Sequence, residues 1–187
     1  RCAEPLDGGG SPPDCVNCRG RDLGFGRVAA LGRYAGPLAA LVRRAKFHGE
    51  TGAWAWLGDR LAAAVAAAPW AREIDAVVAV PASLRSRLRR GFNPAALLAR
   101  PVAEALDRPL MPWLARRGPA VPQVGLGRAE RLANAAGAFR LVPGAAPSGR
   151  AVLLVDDVMT TGATAAACTR ALLEGGARSV DGAVAGR

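Results

Sequence analysis

The sequence predicts an α/β fold, a parallel sheet flanked by helices, on three observations. Short apolar runs rich in β-branched residues, at 74–80 (IDAVVAV), 152–155 and 180–184, have the length of buried strands. Segments with apolar residues at helical spacing lie among them. The two kinds alternate along the chain without an internal repeat, the order a parallel sheet needs. A length of 187 residues suits one domain with a small appendage, and a hydrophobic content of 51% suffices for a packed core. Aromatic residues supply only 5%, so Ala, Val and Leu must fill that core.

Taken in order, residues 1–26 are rich in Gly, Pro and Cys, have no period, and are expected to form a unit apart from 27–187. Cys15 and Cys18 form a Cys-x-x-Cys, with Cys2 upstream. Thiolates at that spacing suit a structural Zn²⁺, which takes four ligands, so this set is one short; a disulfide or unpaired thiols are the alternative. Arg1 stands where a starting Met would be, which suggests a shortened or processed start and a partner cysteine just upstream. Cys168 is a poor fourth ligand because it falls inside an expected helix.

Residues 34–49 read as a helix: Leu38, Leu41 and Val42 recur at helical spacing, Pro37 suits the first turn and Gly49 the stop. His48, the one histidine, has no second His or evident Cys partner and is given no catalytic role. Residues 53–67 read as a second helix with Trp54, Leu57, Leu61 and Val65 on one side; Trp54 and Trp56 are expected to pack rather than to stack on bases. After the strand at 74–80 come Pro81, Ala82 and Ser83, then an arginine cluster of Arg85, Arg87, Arg89 and Arg90, broken by Gly91. Asn93 as N-cap and Pro94 at the first helical position open a helix expected to run to Leu106 and to bend at Pro101. Residues 110–114 read as a short strand, 116–137 as a long connection of the kind that forms lids or binding loops, and 139–142 as an edge strand. A helix over 163–174, stopped by Gly175 and Gly176, precedes the last strand.

The chemistry concentrates in AVLLVDDVMTTGAT, residues 151–164. Two carboxylates, Asp156 and Asp157, follow the apolar run, and Thr160, Thr161, Gly162, Ala163 and Thr164 lead into a helix. Backbone N–H groups and hydroxyls at a helix N-terminus suit a phosphate. The acids would repel that phosphate, so they belong on another part of the ligand, such as ribose hydroxyls or Mg²⁺. A sugar phosphate satisfies both. No GxxxxGK[ST] loop supports a Walker-type nucleotide site, and the acid pair lies too late in the chain for a phosphoacceptor domain.

A net charge of +10 invites a phosphate-rich ligand or nucleic acid, although Arg and Ala richness with a single lysine also reflects composition bias. No apolar run approaches the roughly 20 residues of a membrane span. No signal-peptide pattern opens the chain, so a cytoplasmic location is expected.

The stretch VLLVDDVMTTGAT resembles the phosphoribosyl-pyrophosphate (PRPP) motif of type I phosphoribosyltransferases, and the wider chain resembles the ComF family, phosphoribosyltransferase-like proteins linked to natural competence. Residues 34–38 (YAGPL), 46–49 (KFHG), Val80-Pro81, 89–93 (RRGFN), Gln123, Arg131, Asn134, Phe139 and the acidic loop carry that likeness, and Cys2, Cys15 and Cys18 match the family's N-terminal zinc ribbon. The ribbon lacks its first cysteine, and Pro94 stands where the family usually has Gln.

The resemblance implies a type I phosphoribosyltransferase-like sheet over 27–187 and a truncated ribbon over 1–26. It implies that Asp156 and Asp157 hold the ribose diol and associated Mg²⁺ and act in catalysis, that Thr160, Thr161, Gly162 and Thr164 cradle the 5′-phosphate, and that Val158, Met159 and Ala163 complete the PRPP-binding loop. Pro81, Ala82 and Ser83 would be the pyrophosphate turn, with Arg89 and Arg90 near it and Arg131 in a mobile hood. The expected reaction displaces pyrophosphate from ribose C1′ with a nitrogen nucleophile. Two rivals are a non-catalytic competence factor that handles single-stranded DNA and competence proteins, and a PRPP-sensing regulator.

Overall fold

The computed structural model describes residue 3 and residues 23–48, 51–117 and 137–187; Cys2, Cys15, Cys18, Gly49, Gln123, Arg131 and Asn134 lie outside the described residues. The elements run β1 (Val28–Gly32), α1 (Gly36–His48), α2 (Thr51–Ala66), β2 (Ala76–Ala79), α3 (Leu84–Arg90), α4 (Pro94–Leu106), β3 (Leu114–Arg116), β4 (Phe139–Leu141), β5 (Ala151–Val158), α5 (Ala163–Glu174) and β6 (Ser179–Gly186). Four strands form one parallel sheet in the order β1, β6, β5, β2.

Period-2 alternation sets the two faces of this sheet. On β5, Leu153 and Val155 join the core under α1, α2 and α4, together with Val42, Trp54, Leu61, Leu98 and Val102. Val152 and Leu154 face the other way, toward Cys168 and Leu172 of α5, toward Leu114 and Phe139 of the β3–β4 ribbon, and toward Trp113 just before it. Both faces of β5 are therefore covered, which is why it reads as an unbroken apolar run. Cys168 is fully buried in this second layer, and burial, followed by the charge of Asp156, pushes its thiol well up.

Several boundaries depart from the sequence expectation. The central strand does not stop at Val155: β6 continues the ladder through Asp156↔Val184 and Val158↔Gly186, so both acids are strand residues. The strand expected at 110–114 is divided. Leu110 makes only a parallel bridge to Val77, and the regular strand begins at Leu114. The edge strand expected at 139–142 is not an edge of the main sheet, because β4 pairs antiparallel with β3 in a separate two-stranded ribbon. The arginine cluster forms α3, a helix with no buried residue, held by Ser83 as N-cap and by Gly91 at φ +78°. β1, half-buried throughout, carries no period that distinguishes it in the sequence. By contrast, α4 begins and ends where Asn93, Pro94 and Leu106 predict, and Asn93 Oδ1 accepts from the Ala95 N–H.

Pro101 lies inside α4, facing α2. Its ring and the Leu97 carbonyl, which the missing proline N–H leaves without its helical donor, abut Gly58. A Cβ at Gly58 would lie 2.7 Å from Pro101 Cγ. Gly58→Ala is expected to cost about 1–3 kcal/mol through overpacking, outweighing alanine's better helix propensity. Urea unfolding of the variant measures this; an unchanged or raised midpoint would contradict the close α2–α4 contact.

Candidate functional site

The topology creates a crevice between β2 and β5. The connection from β2 runs outward through α3 and α4 to the bridge at Leu110, whereas that from β5 runs the opposite way through α5 to β6. Adjacent strands whose crossovers diverge leave a gap at their carboxyl ends, where open α/β sheets bind ligands. Asp156, Asp157 and Val158 end β5 on one side of that gap, and Pro81, Ala82 and Ser83 follow β2 on the other. The Val80 N–H donates to the Val155 carbonyl at 2.9 Å, fixing the two segments side by side.

Consecutive strand residues face opposite ways, so Asp156 and Asp157 straddle the sheet edge. The Asp157 N–H donates to Asp156 Oδ1 at 2.8 Å. Lys46, near the end of α1, places its Nζ 2.8 Å from Asp157 Oδ2. Asp156 keeps partial solvent contact, yet protein surrounds its carboxyl. Lost hydration, then the charge of Asp157, raise its pKa to about 8, against the opposing Asp157 N–H and Lys46. Two hard oxygen donors held together against their own repulsion are a donor set that suits Mg²⁺, which binds through one or two carboxylates alongside phosphate oxygens.

The burial of Asp156, with the charge beside it, has a measurable consequence. Between its ordinary pKa of 3.8 and about 8, folded Asp156 keeps a proton that the unfolded chain has lost. Stability is therefore greatest below the lower value and falls as pH rises through the upper one. Asp156→Asn is expected to raise the thermal midpoint above pH 8, with the gain shrinking toward pH 4. A lowered midpoint at alkaline pH would show that the carboxylate is stabilised rather than strained.

After Val158 the chain turns through Met159, Thr160 and Thr161 into Gly162, at φ +78°, and α5 begins at Ala163. No side chain caps Gly162's end of the helix in the usual N-cap manner; Thr161 Oγ1 accepts from the Ala163 N–H at 3.3 Å. The first intrahelical bond there is from the Ala166 N–H to the Gly162 carbonyl, which leaves the Thr164 and Ala165 N–H groups for another acceptor. Thr160 is exposed and Thr161 and Thr164 are half-buried at this rim.

Arg187, absent from the sequence-based set, shapes the loop. Its buried guanidinium donates from Nη1 to the carbonyls of Met159, at 2.9 Å, and Thr160. In a trans peptide the N–H opposes the C=O, so the N–H groups of Thr160 and Thr161 are turned away from Arg187. Backbone bonds fix Arg187 to Gly32 and Tyr34 at the end of β1. Nothing in the local pattern around Arg187 marks it; the function appears only when β6 is placed between β1 and β5.

The other expected residues divide. Pro81, Ala82 and Ser83 lie at the crevice, but the Ser83 hydroxyl is occupied, accepting from the Ser86 N–H at 3.1 Å and bonding to Ser86 Oγ at 2.9 Å. Arg89 and Arg90 sit in the last turn of α3, and Arg90 Nε is buried with no hydrogen-bond partner among the described residues. Arg131 lies outside the described residues. Asn93 does more than cap α4. Its Nδ2 also donates to the Val80 carbonyl at 3.0 Å, tying the helix to the segment that enters the Pro81 turn.

No family model matches the sequence. Among curated proteins, the chain is 32% identical over 155 residues to Competence protein F of Haemophilus influenzae, covering 80% of this chain and 68% of that protein. It is 32% identical over 174 residues to DNA utilization protein YhgH of Escherichia coli, covering 89% of this chain and 74% of the relative, with the same figures for the protein of that name in Salmonella typhi. Likeness of this extent, over most of this chain and more than two thirds of each relative, places the chain in the ComF family.

Proposed function

We propose that the crevice binds PRPP with Mg²⁺ and that the protein transfers the phosphoribosyl group to a nitrogen nucleophile, in a process tied to DNA uptake. The observation that carries this is the acid pair standing directly before an anion cradle at the sheet's switch point. The names of the relatives, a competence protein and DNA utilization proteins, supply the setting.

The N–H groups of Thr160, Thr161, Thr164 and Ala165, with the threonine hydroxyls, would hold the 5′-phosphate. Asp156 and Asp157 would accept from the ribose hydroxyls and hold the cation. The Pro81–Ala82–Ser83 backbone would meet the pyrophosphate. The metal, when bound, would offset charge on the departing pyrophosphate. The C1′–O bond would break with its electron pair leaving on pyrophosphate as the C1′–N bond forms, and the nucleophile's N–H proton would pass to the departing pyrophosphate or to water. Among the described residues no side chain is placed as a covalent nucleophile; those at the crevice would orient the sugar and balance charge. The test is pyrophosphate release from PRPP across a panel of nitrogenous bases. Release with one base supports transfer; binding with no release from any base would leave a PRPP-sensing regulator.

One observation favours a second reading, direct handling of single-stranded DNA. A groove of about 400 Å³ between the β3–β4 ribbon and α5 is lined by Arg117, Arg140 and Arg170, with Glu174 as its acid. Phosphate contacts there would make strand binding fall steeply with salt. No retention of a labelled single strand at low salt would exclude that reading.

A further inference from the structure

We infer that Lys46 is a displaceable counter-ion: its ammonium holds Asp157 until a ligand takes the carboxylate, and then moves aside. This rests on the proposed PRPP site and adds to it a positioning residue that stands outside the phosphate loop and the pyrophosphate turn.

Three observations converge on Lys46. It makes a short contact, 2.8 Å from Nζ to Oδ2, with both side chains mostly shielded at 18% and 17% exposure. It meets the acid pair at the carboxyl end of β5: α1 starts just beyond the carboxyl end of β1, and its Val42 and Ala45 join the core layer of Leu153 and Val155, the face to which β5 turns Asp157. Composition supplies the third. Of 25 basic residues in the chain, 24 are arginine, and the one lysine stands at the acid pair.

The chemistry explains why a lysine would suit this place. A guanidinium would engage both carboxylate oxygens with its planar fork and hold them. An ammonium is a point charge on a rotatable stem; here it contacts Oδ2. Such a partner neutralises Asp157 but yields to a stronger donor or a divalent cation. Competition for one carboxylate then has a definite sign: removing Lys46 strengthens cation binding, and replacing it by arginine weakens it.

The single lysine makes the test direct, because ¹⁵N-lysine labelling gives one Nζ signal. Mg-PRPP is titrated into the wild-type chain while the Nζ signal and the backbone amides of Thr160, Thr161 and Thr164 are followed together. Displacement predicts that the Nζ signal moves with the amides, toward its position in Asp157→Asn. Amides that shift while Nζ stays fixed would overturn the inference and leave the PRPP site standing. If neither moves, the PRPP site falls and the inference with it. Mn²⁺ affinity, read by electron paramagnetic resonance, gives a second measure. Lys46→Met is expected to bind about fivefold more tightly, the scale of one partly exposed ion pair, and Lys46→Arg more weakly than wild type. Weakening in both variants would mark Lys46 as a purely structural support and overturn its role as a competitor.

Discussion

Replacing Asp156 and Asp157 together by asparagine is expected to abolish measurable Mg-PRPP binding while leaving the fold intact. Each carboxylate would make charge-assisted hydrogen bonds to the ribose hydroxyls or bind the cation directly. Losing both should cost roughly a hundredfold or more in affinity, at about 1.5–3 kcal/mol for each charged contact. The fold should survive because asparagine keeps the shape and removes the cost of a buried carboxylate beside a second one, the burial and then the charge that push Asp156 up. Neither side chain belongs to the two apolar layers, which are filled by Val152, Leu153, Leu154 and Val155 from the same strand. Calorimetry against Mg-PRPP, with circular dichroism as the control, checks both halves. An unchanged affinity in the folded double variant would remove the acid pair from the ligand site.

Arg187→Met should give the second large effect. The side chain is similar in length but donates nothing, so the Met159 and Thr160 carbonyls lose a buried partner. Unsatisfied carbonyls cost about 1–3 kcal/mol, and the loop relieves that by turning them toward water. The opposed N–H groups then leave the orientation proposed for the phosphate. Affinity for ribose 5-phosphate is expected to fall about tenfold, the scale of one lost hydrogen bond to a charged group. Calorimetry with ribose 5-phosphate measures it. Unchanged affinity would mean that the loop sets its amides without Arg187.

Both predictions turn on groups that differ in how far the sequence reveals them. The acidic loop is legible because its signals are local: an apolar run, two acids, small hydroxyl residues and an alanine-rich helix stand side by side. The same holds for α4, whose cap, first-turn proline and apolar spacing all agree. The apolar pattern ends β5 too early, because two acids read as the end of a buried strand. The ladder to β6, a contact between distant segments, carries pairing through them. Helix α3 escapes a periodicity argument because it packs nothing into the core; Leu84 and Leu88 are 67% and 77% exposed. Its order comes from the Ser83 cap and the left-handed Gly91 instead.

Lys46 and Arg187 show the limit more clearly. Lys46 stands out as the one lysine and lies in the KFHG stretch, yet nothing around it points to Asp157; Arg187 is one arginine among 24, and nothing in its neighbours points to the loop. Lys46 meets Asp157 only because α1 brings it to the carboxyl end of β5, and Arg187 meets the loop only because β6 inserts between β1 and β5. Charge pairing across a topological crossover has no sequence period. The acids and the loop could therefore be read in advance, whereas the cations that set their geometry could not.

No helix among the described residues is long and apolar enough to cross a membrane, so the crevice and the arginine-lined groove lie on a domain without a spanning helix there. They open on different parts of that domain. The crevice lies at the carboxyl ends of β2 and β5, and the groove between the β3–β4 ribbon and α5. Sugar-phosphate chemistry and contact with a nucleic-acid strand need not compete for the same residues.

Everything proposed for the β2–β5 crevice depends on its being a PRPP site. Calorimetric titration of the wild-type chain with PRPP, with and without Mg²⁺, tests that point without any substitution. Saturable binding of one PRPP per chain, tightened by Mg²⁺, is the expected result. The absence of binding heat under both conditions, with the fold intact, would contradict it.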